Sequence, residues 1–176
     1  MGKLIFITGG SRSGKSSLAV KLAQSIRKKK TFIATCIPED DEMKERVALH
    51  RKSRPSSWRT IEQRDVLIPI LKKETNADVV IIVDCLTLFV SSLLMKGLKE
   101  NRIRDEVNNA IAIIKKGKAT VIIVSNEVGS GLVPENKLGR NFRDIAGFCN
   151  QIVATGADEV NYMVSGIPLK IKGVIQ

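Results

Sequence analysis

Residues 9 to 16 read Gly-Gly-Ser-Arg-Ser-Gly-Lys-Ser, set directly between the apolar run Leu4-Ile5-Phe6-Ile7 and a helix-like stretch from Ser17 to Ile26. A G-x-x-x-x-G-K-[ST] pattern in that setting leaves few folds open. It asks for a buried strand, a tight turn, and a helix whose positive end faces an anion. Gly9, Gly10 and Gly14, with Ser11, Arg12 and Ser13 between them, let backbone N–H groups close around phosphate oxygens. Lys15 reaches the outer phosphates as a catalytic group, and Ser16 offers a hydroxyl to Mg²⁺. A glycine-rich turn that merely joins strand to helix would leave Lys15 and Ser16 without a task, so a nucleoside triphosphate is the expected ligand.

The rest of the chain repeats the same alternation. Apolar runs recur at Lys3 to Thr8, Thr31 to Thr35, Val79 to Val83 and Thr120 to Val124, separated by segments of helical periodicity. Runs rich in Val and Ile are buried on both faces, which predicts a mostly parallel sheet flanked by helices, an α/β fold like that of P-loop NTPases. Glu159 to Val164 and Leu169 to Ile175 bracket Ser165-Gly166-Ile167-Pro168 and predict a C-terminal antiparallel hairpin. With 176 residues and no repeat or linker, the expectation is a single nucleotide-binding catalytic domain over residues 1–176.

Ligands of such sheets bind beyond the carboxyl ends of the strands, which directs attention to Thr35-Cys36, Asp84 and Ser125-Asn126-Glu127. Asp84 closes an apolar strand on an acid and is expected to be the second Mg²⁺-organising group beside Ser16; the competing reading is an Asp that ends a strand in a turn. Asn126 and Glu127 could position water, Mg²⁺ or an acceptor, with Gly129 and Gly131 allowing a close backbone approach, or could simply form a turn. For Arg143 and Asp144 a structural ion pair is at least as good a reading as substrate contact.

Composition narrows the classes. Cys36, Cys85 and Cys149 are odd in number and widely spaced beside one histidine, so neither a disulfide framework nor a zinc site is expected. No apolar run approaches the roughly 18 residues of a membrane span, and no secretion signal is evident, so the expectation is a cytoplasmic protein without an integral membrane segment. The net charge of +11 suits anionic ligands, and Arg27-Lys28-Lys29-Lys30 raises nucleic acid as a partner. Cations closing a helix explain that run better, and the chain is poor in aromatics for base stacking, so no nucleic-acid partner is expected.

Between the second and third strands, Asp40 to Pro55 is acidic at its start and basic at its end, which predicts a helix closing before Pro55. His50 lies near its end among Arg46, Arg51, Lys52 and Arg54. Met43, Val47 and His50 share one side, so the imidazole could face the crevice or cover the domain edge, and spacing does not choose between them.

In its motifs the chain resembles the bifunctional adenosylcobinamide kinase / adenosylcobinamide-phosphate guanylyltransferase family. The resemblance rests on Thr8 to Ser16, Ile33-Ala34-Thr35, Asp40 to Met43, His50 to Pro55, Trp58-Arg59-Thr60, Asp84 to Thr87, Ser125 to Gly129, Val133 to Asn136, Phe142 to Gly147, and Asn150-Gln151. It implies that His50 attacks the α-phosphorus of GTP, expels pyrophosphate and carries GMP to adenosylcobinamide phosphate. It also implies a kinase step from ATP or GTP to the hydroxyl of adenosylcobinamide, with Mg²⁺. Nucleotide contacts then fall on Ala34, Thr35, Cys36, Arg51, Lys52, Ser53, Arg54, Glu62 and Asp84. Glu62 could accept from guanine N–H groups, or be a solvated acid beginning a helix. Relatives suggest a homo-oligomer, with a trimer as the specific form. Phe89-Val90-Ser91-Ser92 and Gly139 depart from the family pattern, away from the nucleotide motifs. Two other readings stand beside this one: a small-molecule kinase without guanylyl transfer, and a nucleotide-dependent binding protein.

Overall fold

The computed structural model describes residues 1–36, 41, 45 and 55–173. His50 and Arg51 to Arg54, and most of the helix expected from Asp40 to Pro55, lie outside the described residues. Elements run β1 (Lys3–Gly9), α1 (Lys15–Ser25), β2 (Lys29–Ala34), β3 (Arg59–Glu62), α2 (Ile68–Glu74), β4 (Val79–Asp84), α3 (Leu86–Met95), α4 (Glu100–Lys116), β5 (Thr120–Val124), α5 (Lys137–Gly156), β6 (Glu159–Val164) and β7 (Ile167–Lys172). The seven strands form one sheet in the order β3-β2-β4-β5-β1-β6-β7, parallel throughout except for β7 against β6. The expected parallel sheet with a terminal hairpin is therefore present.

Strand periodicity divides the core in two. Leu4 and Phe6 of β1, Ile81 and Val83 of β4, and Val121 and Ile123 of β5 pack on one face against α2, α3, α4 and α5. Ile5, Ile7, Ile82, Ile122 and Val124 point the other way, toward Ala19 and Ala23 of α1 and the partly buried Trp58. α4 buries Ile103, Val107, Ala110, Ile111 and Ile114, a stripe at helical spacing, and turns its charged residues outward.

Three local expectations are corrected. First, α1 ends at Ser25 with no basic residue in its last turn, so Arg27 to Lys30 do not close the helix; Lys29 and Lys30 already belong to β2. Second, β3 was not expected. Only one of its four residues is apolar, and as the sheet edge it is held by backbone pairing to β2 and by Arg59 Nη1 donating to Glu74 Oε1 at 2.9 Å. Glu62 thus ends a strand instead of beginning a helix. Third, the hairpin turn is only Ser165-Gly166, with Val164 paired to Ile167. Both turn residues have positive φ (49° and 86°), the geometry whose twist matches the flanking strands. Pro168, expected in the turn, lies in β7, where an edge strand tolerates its missing donor. Gly139 also finds a reason: a Cβ there would lie 2.7 Å from Pro134 Cβ.

Candidate active site

The turn from β1 into α1 owes its shape to residues freed from ordinary backbone limits. Gly9 has φ 148° and passes so close to β6 that a Cβ would sit 2.5 Å from Met163 O. Gly14 caps α1 in the left-handed region at φ 92°. Arg12 adopts φ 54° without being glycine. Support comes from the hairpin, where Gly166 N–H donates to Ser13 O at 3.1 Å.

Lys15 is buried, and its Nζ donates to Gly10 O at 2.5 Å and to Ser13 Oγ at 3.4 Å, so the ammonium sits inside the loop. Burial pulls its pKa down, while the negative charge of Asp84 pulls the other way. A phosphate at this place would satisfy a cation that is already desolvated. Ser13 is buried, Gly14 and Ser16 half-buried, and Ser11 and Arg12 exposed.

The other strand ends form a row across the sheet. Glu62 pairs with Ala34, Ala34 with Asp84, Asp84 with Val124, and Val124 with Ile7. Thr35 N–H donates to Asp84 O, and Thr35 Oγ1 both accepts from Cys85 N–H and donates to Cys85 O, each at 2.7 Å. Ala34, Thr35, Cys36 and Asp84 are thereby brought together. Exposed Glu62 stands at the sheet edge, four strand spacings or roughly 19 Å from the strand that carries the phosphate loop.

Beyond β5 lies a feature that periodicity did not reveal. Asn126 N–H donates to Thr87 Oγ1 at 2.7 Å, Thr87 and Ser125 hydroxyls meet at 3.0 Å, Ser125 Oγ donates to Asn150 Oδ1 at 2.7 Å, and Asn150 Nδ2 donates back to Asn126 O at 3.1 Å. An amide oxygen cannot donate, so the single Ser125 proton goes to Asn150, and Thr87 must supply the proton between the two hydroxyls. The four groups form a closed ring with every donor pointing the same way round. Its sequence signal was Asn150, a polar residue on the face of α5 that otherwise buries Ile145, Ala146, Cys149 and Val153.

The neighbouring residue is fixed too. Glu127 N–H donates to Gly9 O at 2.9 Å and Glu127 Oε1 accepts from Gly129 N–H at 2.7 Å. Arg143 Nη2 donates to Gly129 O at 2.9 Å, which gives Arg143 a structural partner different from the Asp144 considered above. Burial pushes the Cys85 and Cys149 thiols up to about 12, so neither is a nucleophile at neutral pH.

Residues 5–171 match the model of a family described as cobinamide kinase / cobinamide phosphate guanyltransferase. The chain belongs to that family. It is similar to the bifunctional adenosylcobalamin biosynthesis proteins CobU of Escherichia coli K12 and of Salmonella typhimurium LT2, each 41% identical over 96% of this chain and 99% of the relative. It is also 38% identical to CobP of Pseudomonas aeruginosa over 95% of this chain and 96% of that protein. Family membership makes it a bifunctional kinase and guanylyltransferase of cobalamin biosynthesis. In fold alone it resembles a prototypical ATPase of a bacterial type III secretion system (TM-score 0.56, 14% identity, 97% of this chain) and the assembled ATPase EscN of enteropathogenic E. coli (TM-score 0.60, 13% identity, 93%). The chain spans 57% and 43% of those two ATPases.

Proposed function

We propose that one crevice at the carboxyl edge of the sheet performs both reactions of the family through a guanylylated His50. The observation that carries the reading is the phosphate loop, with a buried ammonium inside it and Asp84 close enough to act on that charge. In the kinase step the outer phosphate of ATP or GTP lies against Lys15 and the N-terminus of α1, and the adenosylcobinamide hydroxyl takes the phosphoryl group. In the second step the His50 imidazole attacks the α-phosphorus of GTP and pyrophosphate leaves. The phosphate of adenosylcobinamide phosphate then takes GMP from His50, and adenosylcobinamide-GDP is formed. A covalent intermediate divides a hard displacement into two easier ones.

Ser16 and Asp84 would hold Mg²⁺. Among the described residues no group of three or more His, Cys, Asp or Glu could form an all-protein cage, and one hydroxyl with one carboxylate suits an ion that keeps water and phosphate oxygens as its other ligands. When bound, the ion neutralises charge on the phosphates. Glu62, spaced along the row from the phosphate loop, would meet the base, with Ala34, Thr35 and Cys36 as nucleotide contacts between them; Arg51, Lys52, Ser53 and Arg54 would add further nucleotide contacts.

The whole chain acts as one catalytic unit, in the cytoplasm, as a homo-oligomer and specifically a trimer. Among the described residues no helix is long and apolar enough to cross a membrane. GTP labelled at the α-phosphate tests the chemistry: with Mg²⁺ it should leave an acid-labile, alkali-stable adduct on the protein that is lost in His50→Ala. A wild-type protein that forms no adduct ends this reading.

A further inference from the structure

The kinase step needs a group to take the proton of the attacking hydroxyl, and the geometry points to Glu127 as that general base. The inference rests on the reading above and names the residue that separates its two reactions. Glu127 is the first carboxylate after β5, the strand hydrogen-bonded directly to the phosphate-loop strand. Its backbone is tied to that loop by the bond to Gly9 O, and its Oε1 is held by Gly129 N–H. A Cβ at position 129 would lie 2.8 Å from Glu127 Oε1, so a side chain there would displace this carboxylate oxygen. Glu127 Oε2 has no partner among the described residues, and no ion pair there involves this carboxylate. One oxygen is thus fixed while the other remains to accept a proton.

The polar ring explains how the carboxylate is aimed. Thr87, Ser125 and Asn150 clamp both the N–H and the C=O of Asn126, the residue immediately before Glu127. They come from α3, β5's end and α5, so three elements fix the peptides on both sides of one residue. These are positioning residues. Asp84 is assigned above, with Ser16, to the metal, which leaves Glu127 for the proton.

The step balances as follows. The acceptor oxygen forms a bond to the γ-phosphorus as its proton passes to Glu127 Oε2, the bond from the γ-phosphorus to the bridging oxygen breaks, and the nucleoside diphosphate leaves with that electron pair. Attack by His50 on the α-phosphorus has no hydroxyl proton to remove, so it makes no demand on Glu127.

Glu127→Gln keeps an acceptor for Gly129 N–H and the shape of the side chain, and its unfolding midpoint checks that the fold is retained. With adenosylcobinamide, ATP and Mg²⁺, the variant should lose phosphoryl transfer at least about 100-fold more than it loses labelling by α-phosphate-labelled GTP. Ser125→Ala should lower the kinase kcat about threefold to tenfold with little change in nucleotide KM. If both reactions of Glu127→Gln fall in parallel, the carboxylate serves nucleotide binding and the inference is overturned. Kinase turnover within about threefold of wild type overturns it as well. A wild-type protein without the covalent adduct shows instead that the reading beneath it has failed, and the inference falls with it.

Discussion

Where the strands begin, Lys3 meets Glu159 at 2.5 Å, Lys28 meets Asp78 at 2.7 Å and Lys115 meets Asp158 at 2.6 Å. Where β2, β4 and β5 end, the seams are neutral: Thr35 with Cys85, and the ring of Thr87, Ser125, Asn126 and Asn150. Both ends join the same strands, yet with opposite chemistry. Exposed ion pairs contribute little each and weaken with salt, whereas a buried ring of hydrogen bonds is costly to open and indifferent to ionic strength. The difference keeps Lys15, Asp84 and Glu127 out of ion pairs among the described residues. Charge at one end goes to structure, and at the other end it is left for the phosphate, metal and proton of the proposed reactions.

The most severe test of that contrast is Lys15→Ala. Both activities should fall at least about 100-fold, as for loss of a preorganised cation at a developing charge. The unfolding midpoint should not fall, because burial already disfavours the ammonium. A protein destabilised along with its activity would show this charge to be structural after all.

Asn150→Leu comes next. It removes the acceptor of Ser125 and the donor to Asn126 O, and leaving two buried groups unpaired should cost about 2–4 kcal/mol in urea unfolding. The loss should be the same at low and high salt.

At the opposite end the expected effects are smaller and depend on pH. Asp158 is partly buried, which alone would raise its pKa, but the bonds from Leu4 N–H and Lys115 outweigh this and hold it below 3.8; Lys3 and Lys170 hold Glu159 below 4.5. Folded values beneath the unfolded ones contribute stability that is present above those pH values and is lost as pH falls through the depressed ones. Asp158→Asn with Glu159→Gln should therefore flatten the acid side of the stability profile. At neutral pH the loss should be below about 1 kcal/mol per ion pair and should shrink further in concentrated salt. Equal losses at all pH values would mean that packing, not charge, joins this end.

Thr8→Val should have the least effect and the opposite sign. Among the described residues Thr8 Oγ1 is a buried side-chain oxygen without a partner, so an isosteric methyl should be neutral or stabilising by up to about 1 kcal/mol in the same urea experiment.

The sheet was legible because β1, β4, β5 and the second half of β2 are largely buried on both faces and read as mainly apolar runs, and the phosphate loop because its chemistry is local and contiguous. β3 was not legible, since its hold comes from β2 and from Glu74, 15 residues away in sequence from Arg59. The same limit hid the ring, where residues 87, 125 and 150 meet only once the sheet has formed. Lysine runs misled for a related reason: the dipole explanation fits Lys115 and Lys116 at the end of α4 but not Arg27 to Lys30, which lie past the end of α1. Ordered motifs carried the family, while the local pattern around His50 left its role open.

The bond from Gly166 N–H to Ser13 O ties the hairpin to a turn that a ribosome delivers far earlier. While residues 159–172 are still inside the exit tunnel, Gly9 lacks the β6 neighbour it packs against and Ser13 lacks its tether. The turn therefore reaches its final support only when the last two strands have joined the sheet, and a pull on β7 would be passed to it.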